Sequence, residues 1–266
     1  MPLEITFNDS GAEVHIGKFG RFDVPGLTEY EYKETETGRI LSQSLNTFDV
    51  QAETISYVRN NKSLSSYGIE EQSAPIIENM VNHLAIHAGQ LEQKAQAFNA
   101  LEADLYRVPQ LEQTHTAMAI EDREIRDWWR AMSATQRTKH MQRAQEDPGS
   151  ESTQRLCIAL LRSPAPLALM DLETDHFRNI WQSHRRAVEP DKAADIDIGR
   201  SVLEKANRGM AHLIGIHGRV TGWTADKVLA TILKCPDPSA QSGLVAFQFS
   251  PRDIAEMRKR IQQGRA

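Results

Sequence analysis

The sequence predicts a mainly α protein, a helical bundle with one or two long helices and a small N-terminal antiparallel β subdomain. Three observations support this prediction. Large apolar residues recur every seven positions over four heptads in the middle of the chain. Alternation of apolar and polar residues is largely confined to the N-terminal segment. The 15 glycines and 11 prolines among 266 residues are too few for a fold of many tight turns.

The β subdomain is expected over residues 1–46. Apolar and polar residues alternate over 5–16, around a turn at Asn8–Gly11. Further extended segments are expected around Val24 and through residues 30–41, which gives three to five strands. A sheet of this size needs a helix or a partner against its apolar face.

The strongest single element is a long helix from about Ala74 to Tyr106. Its apolar stripe consists of five residues at strict heptad spacing, Ile77, Leu84, Leu91, Phe98 and Leu105. Such a helix is about 45 Å long at 1.5 Å per residue, and the stripe must be buried. The pattern fits packing against a helix of the same chain and packing against a second copy equally well. We therefore treat these five residues as candidate partner-interface residues.

Start and stop signals predict further helices. Ser133 and Gln136 have the spacing of a capping box. A second long helix is expected from Asp191 to His217, with a glycine directly after it as the C-terminal stop. The apolar run 244–249 predicts a short extended segment, and a serine and a proline then begin the last helix.

These signals suggest three regions. Residues 1–46 form the β subdomain, residues 47–147 a helical region with the long heptad helix, and residues 148–266 a second helical region with a basic C-terminal helix. The boundaries follow turn-forming residues, the clearest of which is Asp147-Pro148-Gly149.

Charge is unevenly distributed along the chain. The net charge is −5, but residues 200–266 hold 11 basic and 5 acidic residues. The dense cationic run near the end, Arg258, Lys259, Arg260 and Arg265, is the candidate nucleic-acid contact, with DNA phosphates as its target. The alternative is a solvated helix end, where positive charge is favoured by the helix dipole.

Motifs that would indicate catalysis are missing from the sequence. It has no glycine-rich phosphate loop, no nucleophile elbow and no paired cysteines, so we expect no cofactor and no small-molecule substrate. His83 and His87 have metal-ligand spacing, but the sequence lacks the glutamate of a zinc-protease motif there, and we expect no metal.

Cys157 and Cys235 are expected to be reduced structural residues, and no apolar run is long enough for a membrane helix. An active site assembled from distant residues remains an alternative.

Trp128 and Trp129 are neighbours on a predicted helix. Adjacent helical residues point about 100° apart, so at least one ring should lie in the core. We expect one indole in the core and the other at a partner interface. Because the sequence does not show which indole is which, both Trp128 and Trp129 are candidate partner-interface residues.

Residues 121–190 resemble a known class of proteins. The resemblance rests on segments 124–133 (EIRDWWRAMS) and 155–167 (RLCIALLRSPAPL), followed by Leu172–Glu173 and Phe177–Trp181. In this order they resemble uncharacterised helical proteins encoded among the structural genes of tailed bacteriophages. The resemblance implies a non-enzymatic minor component of a virion, near the connector or inside the head. Its implied partners are other virion proteins, and its implied location is the virion, with the host cytoplasm during assembly. Association with further copies of the chain is expected from the heptad stripe.

Overall fold

The computed structural model describes residues 3–112, 114–162 and 169–265. Over these residues the protein has eleven α-helices and one three-stranded antiparallel sheet, so the predicted fold class is confirmed. The chain forms two compact units: unit 1 comprises Met1–Phe98 and Ile198–Ala266, and unit 2 comprises Asn99–Asp197. This division differs from the predicted boundaries near 46 and 147. One helix runs through position 46, and the helices on both sides of position 147 belong to unit 2.

Three short strands form the sheet of unit 1 in the order β1-β2-β3. They are β1 (Glu4–Asn8), β2 (Gly11–Ile16) and β3 (Gly20–Pro25). Val14 of β2 pairs with Ile5 on one side and with Phe22 on the other. The inward side chains of β2 are buried in the core of unit 1, as expected for a small sheet that needs a helical partner.

Residues 29–34 and 36–45 are helical, so the additional strands expected over residues 30–41 were wrong. They belong to α1 (Glu29–Glu34) and α2 (Glu36–Asn60). Thr28 and Glu31 form a capping box at the first helix, and Thr35 accepts the Gly38 N–H at the second. The buried side chains of α2 include Ile40, Leu41, Ser44, Leu45 and Phe48, a helical rather than alternating period.

The heptad segment belongs to α3 (Ser66–Leu105), which begins earlier than expected. The Ser65 hydroxyl accepts the Gly68 N–H at 3.1 Å, so a cap lies upstream of the predicted start, and the helix continues through Pro75. A close backbone approach holds α3 against a short connecting segment. A Cβ atom on Gly89 would lie 1.8 Å from the Ser239 carbonyl oxygen, so only glycine fits there.

The C-terminal part of unit 1 completes its core. The helix α8 (Pro190–Thr221) lies in unit 1 from Ile198 onward. It is followed by α9 (Ala225–Lys234), α10 (Pro238–Ser242), a 3₁₀ turn (Gly243–Phe247) and α11 (Pro251–Gln262). The second long helix is therefore confirmed, but it passes through Gly218 and ends before Gly222, whose φ is +66°. The 3₁₀ turn replaces the extended run expected at 244–249. Ser250 caps α11, as predicted.

Among the residues of unit 2 that the structure describes, four helices lie entirely within the unit. They are α4 (Thr116–Ala131), α5 (Ala134–Glu146), α6 (Glu151–Leu161) and α7 (Asp171–Val188). The capping box predicted at the start of α5 is present. The core is formed by Trp129, Ala144, Cys157, Leu160, Leu169, Phe177, Ile180 and Trp181. The Ser-Pro-Ala-Pro sequence quoted above for the resemblance, residues 163–166, lies outside the described residues.

Candidate docking surface

The heptad stripe is buried by the chain itself. Ile77, Leu84 and Leu91 lie in the core of unit 1. Leu105 is fully buried in unit 2, where it packs with two residues of α8. Phe98 is half-buried, and its ring lies where a Cβ on Gly199 would be, 2.3 Å from the ring atoms. Of the two readings of the stripe, the structure supports packing within one chain. Four of these five candidate interface residues are therefore core residues with no surface for a partner.

The paired tryptophans of α4 have different environments. Trp129 is fully buried, with its ring edge-on to Phe177 at 5.1 Å between centroids and its indole Nε1 donating to Glu173 Oε2 at 3.5 Å. Trp128 remains 47% exposed. The expectation of one core indole is confirmed, and a partner at the exposed indole remains a prediction. Trp129, one of the two candidate partner-interface residues, belongs to the core instead.

Trp128 lines a groove on the surface of unit 2, which we call the Trp128 groove. Its volume is about 710 Å³, and α4, α5, α6 and the α5–α6 turn form its walls. The His140 ring meets the indole edge-on, with 5.0 Å between centroids. Ile125, Ala144 and Leu156 supply its apolar surface. An open groove with an aromatic ring and aliphatic neighbours suits an apolar side chain of another molecule.

Charged and polar side chains surround this apolar surface. Arg143, Glu146 and Asp147 line the groove from α5 and its C-terminus. Arg143 makes no side-chain hydrogen bond or ion pair with any residue that the structure describes. A mixed polar rim around an apolar centre is the usual anatomy of a protein–protein contact.

A buried ion-pair cluster joins α4 to α6, two of the three helices that form the groove. Asp122 of α4 is fully buried, and its carboxylate oxygens lie 2.5 Å from Arg155 and 2.8 Å from Arg162, both at α6 or its end. Arg162 also donates to the carbonyl oxygen of Pro109 at 2.7 Å. The hydrogen bond from Arg155 lowers the pKa of the Glu121 carboxyl, and the same bond raises the pKa of Arg155. Because Arg155 also lines the groove, this cluster joins its wall to the core.

Sequence reasoning found Trp128 but missed the rest of this surface. His140 and Arg143 belong to another helix, and no spacing in the sequence relates them to Trp128. The buried Asp122 was missed for the same reason, since its partners lie 33 and 40 residues further along the chain.

The basic C-terminal run is only partly available for phosphate. Arg260 lies 2.5 Å from Glu256 and 3.3 Å from Asp226, and these carboxylates also raise its pKa. Arg258 donates to Gln241 at 3.3 Å. Lys259 and Arg265 are exposed, and neither has an ion pair within the part of the chain that the structure describes. Carboxylates therefore neutralise one of the four predicted contacts.

His83 and His87 lie one helical turn apart on α3. Their rings lie 5.8 Å apart, and no group of three metal-ligating side chains occurs in residues 3–112, 114–162 and 169–265. His87 is buried, with its Nδ1 2.9 Å from the Ser44 hydroxyl. Burial, reinforced by His83, lowers the pKa of His87 to about 4. Burial also raises the pKa of the Cys157 thiol to about 12, which suits a structural cysteine.

No helix among the described residues has the length and apolar character needed to cross a membrane. A comparison of the chain with protein families, with curated proteins and with solved structures finds no match.

Proposed function

We propose that this chain is a non-enzymatic assembly protein that docks on another structural protein through the Trp128 groove. The observation that carries the proposal is the half-exposed indole of Trp128 at an apolar groove of about 710 Å³. Tryptophan is the residue type most enriched among the side chains that dominate binding energy in protein interfaces. We propose as occupant an apolar side chain, aromatic or aliphatic, on a segment of the partner.

The position of the groove in the sequence supports a virion context. Trp128 lies within residues 121–190, the part of the chain that resembles structural proteins of tailed phages, and the whole groove belongs to unit 2. We therefore propose a minor virion component, located in the particle and in the host cytoplasm during assembly. The partner proposed is a different virion protein, because the stripe that motivated self-association is buried within the chain.

Binding to DNA through the basic C-terminal helix receives less support. Two carboxylates engage Arg260, so one of the four predicted phosphate contacts is neutralised, while Arg258, Lys259 and Arg265 have no ion pair among the described residues. If this alternative holds, replacing Arg258, Lys259 and Arg260 by alanine abolishes a salt-sensitive DNA complex. If it does not, DNA binding at low salt is absent or unchanged by these substitutions.

The test measures binding to the proteins encoded by the neighbouring genes. Isothermal titration gives the Kd of the wild type, of Trp128→Ala and of Val188→Ala for each partner. Val188 is the matched control, because it is an exposed apolar residue of the same unit that does not line the groove. We expect Trp128→Ala to raise Kd by about 30-fold, equivalent to roughly 2 kcal/mol, and Val188→Ala to leave it unchanged. Failure of every partner to bind, or equal Kd values for wild type and Trp128→Ala, would refute the proposal.

A further inference from the structure

A second cavity lies in unit 1, between the β2–β3 turn and one face of α2. Its volume is about 610 Å³, within the usual range of small-ligand sites. The turn contributes Lys18 and Phe19, and α2 contributes Asp49, Glu53 and Tyr57. The three α2 residues follow one another at intervals of four, so they lie along one face of the helix.

Asp49 has an unmet requirement for a hydrogen-bond donor. The residue is only 6% exposed. Its Oδ2 accepts the Leu3 N–H at 3.0 Å, but its buried Oδ1 has no hydrogen-bond partner among the described residues. No ion pair with Asp49 occurs there either. A buried carboxylate oxygen without a partner is costly, and a donor that carries positive charge compensates it best.

The other side chains of the cavity suit such a donor. Glu53 lies one helical turn from Asp49 and adds a second negative charge. Tyr57, which is 76% exposed, and Phe19 supply aromatic rings, whose faces attract cations. The Phe19 ring already has the Lys18 ammonium 5.4 Å from its centroid.

Lys18 does not neutralise these carboxylates. Its ammonium donates to the Ser56 hydroxyl at 2.5 Å, and no ion pair of Lys18 with Asp49 or Glu53 occurs among the described residues. Two carboxylates and one ammonium leave the cavity with a net negative charge.

We propose that this cavity binds an ammonium or guanidinium group, carried by a free amine or by a lysine or arginine side chain of a peptide. The group donates to Asp49 Oδ1, pairs with Glu53, and lies against the ring of Tyr57 or Phe19. A divalent metal fits less well, because two carboxylates supply few of the six or more oxygen ligands that Ca²⁺ and Mg²⁺ require. This inference goes beyond the proposed function, since the site belongs to unit 1 and is independent of the Trp128 groove.

The test is an NMR titration of the full-length, ¹⁵N-labelled protein. The probes are n-butylammonium and ethylguanidinium as free cations, and the capped peptides acetyl-Gly-Lys-Gly-amide and acetyl-Gly-Arg-Gly-amide as side-chain cations. Butan-1-ol is the neutral control for the alkyl chain. We expect the cations to shift the amide signals of Lys18, Phe19 and Glu53 with a Kd near 1 mM and butan-1-ol to leave them unchanged. Tighter binding of the peptides assigns the site to a basic side chain, and tighter binding of the free cations assigns it to a small amine.

Three variants test the assignment of residues. Asp49→Asn keeps an oxygen acceptor for Leu3 and replaces the charged oxygen by an amide, so we expect unchanged folding and at least a tenfold rise in Kd. Glu53→Gln changes an exposed side chain and should raise Kd severalfold, which keeps the test valid if Asp49→Asn is unstable. Lys18→Met removes a like charge and should lower Kd. Equal Kd values for wild type, Asp49→Asn and Glu53→Gln, or equal shifts with butan-1-ol, would overturn the proposal.

Discussion

Acidification should destabilise unit 1 through His87. The residue is buried with its Nδ1 beside the Ser44 hydroxyl, and burial followed by the proximity of His83 lowers its pKa to about 4. In the unfolded chain the pKa of histidine is about 6.5. Between these two values the unfolded state binds more protons than the folded state, so stability falls as the pH decreases.

The size of this effect follows from the two pKa values. The stability contributed by neutral His87 is fully present above pH 6.5 and is lost progressively down to pH 4. From pH 7 to pH 5, the linkage relation gives a loss of about 2 kcal/mol in the free energy of unfolding. The total loss by pH 4 and below approaches about 3 kcal/mol, since each pKa unit corresponds to 1.36 kcal/mol.

The assay is urea unfolding of the wild type and of His87→Gln at pH 7 and pH 5. Hydrogen exchange of the α3 amides assigns the relevant transition to unit 1. His87→Gln carries no titratable group at this position, so its loss of stability between the two pH values should be about 2 kcal/mol smaller than that of the wild type. Burial also lowers the pKa values of His184 and His217. Because both residues are present in both proteins, their contributions to the pH dependence of stability cancel in this comparison. Equal pH dependence in the two proteins would refute the reasoning.

Three further predictions concern how buried contacts stabilise the fold. Gly89→Ala should lower the stability by about 1–3 kcal/mol, because the added Cβ would meet a backbone carbonyl. Gly215→Ala, where the added Cβ has open space, should raise the stability by up to about 1 kcal/mol, and thermal melts compare the two variants. Leu84→Ala should lower the free energy of unfolding by about 2–5 kcal/mol and leave the mass measured by light scattering unchanged, whereas Leu101→Ala, at a half-exposed position, should lower it far less. A smaller oligomer for Leu84→Ala would contradict burial within one chain. Asp122→Ala should lower the free energy of unfolding measured with urea by about 3–5 kcal/mol, because it leaves two arginines without their buried carboxylate. A loss below about 1 kcal/mol would contradict this prediction.

Most of the fold could be predicted from the periodicity of apolar residues and from helix-capping residues. The heptad of α3 and the capping box at Ser133 depend on neighbours within one or two turns, so they can be read from sequence. The segment 29–45 was misassigned because its tyrosines and isoleucine favour strands, while the caps at Thr28 and Thr35 start helices. A heptad establishes that a face is buried but not what covers it.

The candidate sites were less predictable. Trp129 is buried and Trp128 is exposed because of which face of α4 contacts α7. The sequence of a short amphipathic helix is compatible with burial of either ring. The Trp128 groove also needs His140 from α5, and the cavity of unit 1 needs Phe19 from a hairpin turn beside Asp49 of α2. These pairings are tertiary contacts between separate elements, and no local pattern encodes them.

Site-specific cross-linking from position 128 tests the central claim most directly. A photoreactive phenylalanine analogue replaces Trp128 in one protein and Val188 in a matched control. Each protein is irradiated in cells that co-express the proteins encoded by the neighbouring genes. The account predicts a cross-link from position 128 to one of these proteins, abolished by competing unlabelled wild type, and none from position 188. Equal cross-linking from both positions, or none from position 128 while the partner still binds, would contradict it.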